Sequence, residues 1–195
     1  MRKKDLRVIK TEYLIKSAFI DLVEEKGYRK VSVDDIATKA YISRNTFYLH
    51  YESKESLVES IINETIKRIE ATLNDSFKDI IELDKLSIVH VRWWFRYFLR
   101  QMKDETEIYR VILLDDSLKG YFENFKRRVS NHISKILNVK SPRSSLVFEY
   151  TVSGMFGVFE QYVTYPLIDE NETTRILADL AYNSLMMFRG FNYEK

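Results

Sequence analysis

An all-helical chain with a three-helix head and a larger helical bundle behind it is predicted for these 195 residues by three observations. Chain-breakers are scarce, with 5 Gly and 2 Pro, which favours long helices and short connections. Apolar residues recur at three- and four-residue spacing along most of the chain, the signature of amphipathic helices. No long segment alternates apolar and polar residues with period two, so no sheet is expected.

The elements follow in order. Leu14, Ile15, Ala18, Phe19, Leu22 and Val23 give one apolar face to a helix that begins between Leu6 and Thr11 and ends near Lys26. Gly27 stands where a helix C-terminal cap is expected, because glycine tolerates the left-handed backbone that ends a helix. Ser32 is an N-cap residue, with Asp34 and Asp35 in the first turn, where the helix dipole favours negative charge. A short helix over Val33 to Ala40 follows. Ser43 caps a second short helix, Arg44 to His50, and Ser53 opens a long one at Lys54, carried by Leu57, Ile61, Ile62, Ile66, Ile69 and Leu73. Further helices are predicted near 86–102, 104–114, 118–137, 144–165 and 172–190, with Pro142 and Pro166 as breaks and Asp169 with Glu172 as a capping box.

Composition narrows the function classes. Apolar residues make up 45% and charged residues 31%, as in soluble globular chains. The absence of cysteine excludes disulfides and thiolate metal sites and fits a reducing cytoplasm. The basic N-terminus has no adequate apolar run behind it, so neither a secretory signal nor a transmembrane helix is expected. His50, His90 and His132 are scattered without a ligand pair at helical spacing, so no metal is expected. No Gly-rich phosphate loop and no nucleophile elbow occurs, so no cofactor or catalytic residue is expected. Residues 1–54 hold 12 Lys/Arg against 8 Asp/Glu, whereas 55–195 hold 19 against 21. A basic head on a mildly acidic body points to a polyanion for the head.

Two short helices joined by about three residues, the second polar, form a helix-turn-helix. In such a unit the first helix braces on the phosphate backbone and the second lies in the major groove, its N-terminal residues at base edges. Arg44 pairs well with guanine and Asn45 with adenine, while Thr46 suits a base or a thymine methyl. Lys54, at the start of the long helix, suits a phosphate, and Ser32 and Lys39 offer backbone contacts from the bracing helix. Arg2, Lys3, Lys4 and Arg7 form a basic arm.

The residues Ser32, Asp35-Ile36-Ala37, Ala40, Ile42-Ser43, Thr46, Tyr48, His50-Tyr51, Lys54 and Leu57, with Ala18 and Gly27-Tyr28 before them, resemble the N-terminal domain of the TetR family. Tyr41 stands where that family usually has a turn glycine, and Asn45 where Gly is common. The resemblance implies a DNA-binding domain over 1–54 and a ligand-binding and dimerising helical domain over 55–195. It also implies a homodimer on a near-palindromic operator, with phosphate contacts from Tyr48, His50 and Tyr51. The function expected is a transcriptional regulator, as a rule a repressor released by a small ligand; the alternative is control by a protein partner.

The body is rich in rings. Trp93, Trp94, Tyr97 and Phe98 fall within one helix, and Tyr109, Phe122, Phe156 and Phe159 add to them. They suit a pocket for a flat, apolar or cationic effector, or equally a packed core. Gly154 and Gly157 lie inside a helix, where glycine costs about 1 kcal/mol relative to alanine, which suggests close approach of another backbone or a ligand. In the resembled family the last two long helices form the dimer interface. That assigns Gly154, Gly157, Ile176, Leu180, Leu185 and Phe188 to it here; packing within the chain is the other use of the stripe.

Overall fold

Among the described residues apolar spacing becomes helix, and no strand forms. The structure is a computed structural model that describes the backbone of residues 6–77, 87–103, 106–137, 139–165 and 169–191, without the side chains of 76, 77, 101–103 and 188–191. The basic arm at Arg2 to Lys4 and the break at Pro166 lie outside the described residues.

The chain packs as two compact units, 1–64 with 107–122, and 65–106 with 123–195. The functional division expected at residue 54 therefore differs from the packing, which adds 55–64 and 107–122 to the first unit.

The first unit holds α1 (Leu6–Lys26), a 3-10 turn (Tyr28–Lys30), α2 (Val33–Lys39), α3 (Arg44–His50), the start of α4 (Lys54–Phe77), and α6 (Thr106–Leu114). Ile15, Phe19, Ile36, Phe47, Leu57, Ile61, Tyr109, Ile112 and Leu118 are buried in it. Gly27 ends α1 with φ of 78°, the conformation that favours glycine. Ser32 caps α2 reciprocally: its hydroxyl accepts the Asp35 N–H, while its own N–H donates to the Asp35 carboxylate at 2.8 Å.

One tie in this unit spans a long stretch of sequence. The Tyr28 N–H donates to the Asp115 carboxylate at 2.7 Å, and the Ser117 N–H donates to it at 2.9 Å. Asp115 follows α6, so the loop behind α6 caps the turn behind α1, and Arg110 pairs with Glu24 nearby. Burial pushes the Asp115 carboxyl up, but the backbone donors of Tyr28 and Ser117 outweigh it, and its pKa lies below the usual aspartate value.

The second unit holds α5 (Ile88–Lys103), most of α7 (Lys119–Ile136), α8 (Pro142–Thr164) and α9 (Glu170–Phe191). α9 packs against both α5 and α8, and Arg92 pairs with Asp179 at 2.9 Å across the first of these contacts. Pro142 opens α8 rather than breaking the chain before it. At the first helical position its missing N–H would have no partner, and Ser141 caps the helix ahead of it. Asp169 accepts the Glu172 N–H at 2.9 Å, one half of the expected capping box.

Removing the Asp115 carboxylate strands the Tyr28 N–H. The Asp115→Ala variant should lose about 1–3 kcal/mol of stability at neutral pH, read by urea denaturation. A depressed folded pKa contributes stability above the unfolded value and loses it as pH falls through the folded one. The gap between wild type and variant should therefore shrink once pH drops below the ordinary aspartate range.

Candidate nucleic-acid interface and body cavity

Two serine caps and one buried ring set the geometry of the head. Ser43 caps α3, accepting the Thr46 N–H at 3.0 Å and sharing a 2.8 Å bond with the Thr46 hydroxyl. Phe47, at 0% exposure, anchors α3 from beneath, with its ring 5.8 Å from Tyr48 and 5.9 Å from Tyr51. A helix buried on one face presents the other. Arg44, Asn45, Tyr48 and Leu49 are accordingly exposed. Tyr41 has a positive φ of 55° and is 94% exposed. A bulky residue in that region is strained, and nothing in its own chain covers the ring enough to compensate.

Charge on this face is arranged rather than scattered. The Arg44 guanidinium lies 2.8 Å from the Asp34 carboxylate, so a residue of α2 orients a residue of α3. Tyr48 first and Asp34 second push the Arg44 pKa up. Lys39 pairs with Glu25 and lies 3.6 Å from Asp21. Lys26 first and Ser32 second hold the Asp35 carboxyl far below its ordinary value. Ser32 itself remains exposed.

Three expected phosphate contacts sit differently. Lys54 turns back into its own unit: its ammonium donates to the Tyr28 carbonyl at 3.0 Å and the Val31 carbonyl at 2.8 Å, 4.3 Å above the Tyr28 ring. It clamps the turn between α1 and α2, where the Tyr28 carbonyl also accepts the Val31 N–H at 3.1 Å. Tyr51 is buried, and its hydroxyl has no hydrogen-bond partner; burial first, then Glu12 and Glu64, push its pKa up. His50 is largely covered, 3.7 Å from the Glu12 carboxylate. Only Tyr48 of the expected aromatic trio stands clear. Phe47 and Leu49 were not singled out from the sequence, and Asp34 only as a first-turn carboxylate of α2.

The second unit holds a partly open cavity of about 40 Å³. Trp94, Phe98, Phe156 and Phe159 line it, joined by Phe95, Phe125 and Val152 among others. The remaining expected ring residues do not reach it. Trp93 is 59% exposed and stacks on Tyr97 at 5.7 Å on another face of α5. Tyr109 and Phe122 are buried in the core of the first unit. Helical geometry explains the split: Trp94 and Phe98 share one face at i, i+4, and Trp93 and Tyr97 share the neighbouring one.

On α8, Leu146, Tyr150, Gly154 and Gly157 form an exposed stripe. A Cβ added at either glycine would meet nothing within 4 Å, so no close approach among the described residues requires them. On α9, Leu180 is exposed, Ile176 is half-buried, and Leu185 is buried within its own unit. The Phe188 side chain lies outside the described residues.

Residues 15–61, the segment carrying both capped helices, match the family described as bacterial regulatory proteins, tetR family. The chain is 39% identical over 59 residues to the HTH-type transcriptional regulator EthR of Mycolicibacterium smegmatis, covering 30% of this chain and 27% of that protein. It is 39% identical over 51 residues to the dhaKLM operon transcriptional activator DhaS of Lactococcus lactis, covering 26% and 27%. The chain thus spans little more than a quarter of the length of either relative. In fold the likeness extends further: a TetR-like transcriptional regulator from Rhodococcus superimposes with a TM-score of 0.61 at 22% identity, over 90% of this chain and 96% of the other. Over residues 15–61 the helix-turn-helix head is thus that of the bacterial regulatory proteins of the tetR family.

Proposed function

We propose that the chain is a sequence-specific transcriptional repressor that grips a near-palindromic operator as a homodimer in the cytoplasm and is released by a small ligand held in its body. The observation that carries the reading is α3 itself. It is capped by Ser43, pinned by Phe47, and presents Arg44 and Asn45 outward at its N-terminal end. Those are the positions a groove-bound helix uses to read bases. Asp34 holds the guanidinium in a fixed pose before DNA arrives, which lowers the ordering cost of a bidentate contact with guanine. Tyr48, Leu49, Tyr41, Ser32 and Lys39 complete the surface, with Lys39 exchanging its carboxylate partners for phosphate. Lys54 and Tyr51 serve it by holding α3 and the start of α4 in place.

The homodimer rests on α8 and α9. Among the described residues, nothing lies against the two glycines, and Leu146, Tyr150 and Leu180 are exposed; a second copy allows two recognition helices to reach successive grooves. Release follows if the ligand prefers a conformer in which both helices no longer fit. A second reading, control by a protein partner, draws on the exposed Trp93, Tyr97 and Val89, since an exposed apolar patch suits a protein surface.

Three outcomes test this. Arg44→Ala and Asn45→Ala should each lose about 1–3 kcal/mol of discrimination between operator and unrelated duplex, measured by fluorescence anisotropy at fixed salt on an operator selected from genomic fragments; unchanged discrimination refutes the assignment. Tyr41→Gly relieves a strained φ, and should leave stability equal or higher by up to about 1 kcal/mol while weakening operator binding; the split between melting temperature and affinity is the readout. Gly157→Arg, which has open space in the isolated chain, should fold normally yet run as a monomer in light scattering.

A further inference from the structure

We propose that Leu49 fixes one base in each operator half-site, by packing on the C5 methyl group of a thymine in the major groove. The inference rests on reading α3 as the groove-bound helix, and adds to that reading one residue and the base it selects.

The outward face of α3 carries two columns of side chains, each pairing residues one turn apart. Arg44 and Tyr48 form the first. It is polar: Asp34 lies 2.8 Å from the guanidinium, and Tyr48 interacts with it. Asn45 and Leu49 form the second, and both are exposed. Leu49 is 85% exposed. A lone surface leucine is ordinary, but this one shares its face with Asn45 and points away from the core that holds Phe47. If that face enters a groove, the isobutyl group enters with it.

The major groove offers such a group one apolar feature, the thymine methyl. The other groups that distinguish the bases there are hydrogen-bond donors and acceptors. Covering one of those with an isobutyl group strips its water and returns no hydrogen bond. Leu49 therefore favours thymine and penalises the other bases, and selection comes from attraction and exclusion together.

Thr46, the other candidate for a thymine methyl, is less free to make the contact. Ser43 engages its N–H at 3.0 Å and its hydroxyl at 2.8 Å, and the residue is half-buried. Leu49 lies one turn beyond Asn45, about 6 Å along the helix axis, or about two base-pair steps. Asn45 pairs best with adenine, so the half-site should join an adenine to a thymine about two steps away.

The test uses the full chain and an operator selected from genomic fragments. Each thymine of the half-sites is replaced in turn by deoxyuridine, which keeps the base pair and loses only the methyl. One thymine per half-site should respond, with binding about fourfold weaker in fluorescence anisotropy at fixed salt. Leu49→Ala, at an exposed helical position, should keep the wild-type Tm and weaken the unmodified operator by a similar factor. It should no longer respond to deoxyuridine at that thymine. Thr46→Ser, which drops only a methyl, should respond as the wild type does. At the same position 5-methylcytosine should bind about fourfold tighter than cytosine, a gain that should also vanish in Leu49→Ala. A wild type indifferent to deoxyuridine at every thymine, a response that survives Leu49→Ala, or one that disappears in Thr46→Ser overturns the proposal. Those outcomes leave the reading of α3 standing, whereas a wild type with no preference for operator over unrelated duplex overturns both.

Discussion

The buried ring of Phe47 is the constraint on which the head depends. A seven-residue helix has too few internal hydrogen bonds to persist alone, so its stability and its orientation both come from packing. With Phe47 at zero exposure, the rotation of α3 about its axis is settled, and Arg44, Asn45 and Tyr48 must stand outside. On the proposed function, specificity is therefore a by-product of core packing: Arg44 and Asn45 would be placed by the buried Phe47.

Beneath that helix the chain spends its polar groups on holding the turns. Tyr28 is the hub. Its N–H meets Asp115, its carbonyl meets Lys54, its hydroxyl donates to Glu55 at 2.9 Å, and its ring lies under the Lys54 ammonium. Burial first, then Glu55, push its phenol pKa up, so the hydroxyl remains a donor across the physiological range. These bonds join the turn after α1, the start of α4 and the loop after α6 into one rigid assembly. The Lys54 clamp shows how a cation near a helix start can serve the protein's own carbonyls instead of a ligand's phosphates.

Local signals made much of this legible in the sequence. Ser32 and Ser43 cap the helices they precede, Gly27 ends its helix with positive φ, and Tyr41 takes the left-handed turn conformation despite its bulk. Each depends on backbone chemistry within four residues, which a sequence displays directly. What escaped depends on partners far along the chain. Asp115 lies 87 residues from Tyr28, and nothing local distinguishes it from a surface aspartate. Tyr109 and Phe122 pack in the first unit through α6 and the start of α7, a placement that ring content alone cannot report. The separation of Trp94 and Phe98 from Trp93 and Tyr97 was readable from helical spacing, but a run of five rings in six residues blurs the faces.

The body shows the opposite economy from the head. Its cavity walls carry no charge, and its exposed α8 stripe is kept flat by two glycines against which no described residue packs. A head built from fixed polar contacts and a body built from apolar surfaces suit a protein whose DNA grip is specific and whose control comes from packing. The most direct measurement of that account is dimethyl sulfate protection of guanine N7 on operator DNA bound by the full chain. The account predicts protected guanines in two clusters about 10 base pairs apart, one in each of two successive major grooves. Guanines left fully reactive beneath a bound protein, or protection confined to a single cluster, would contradict it.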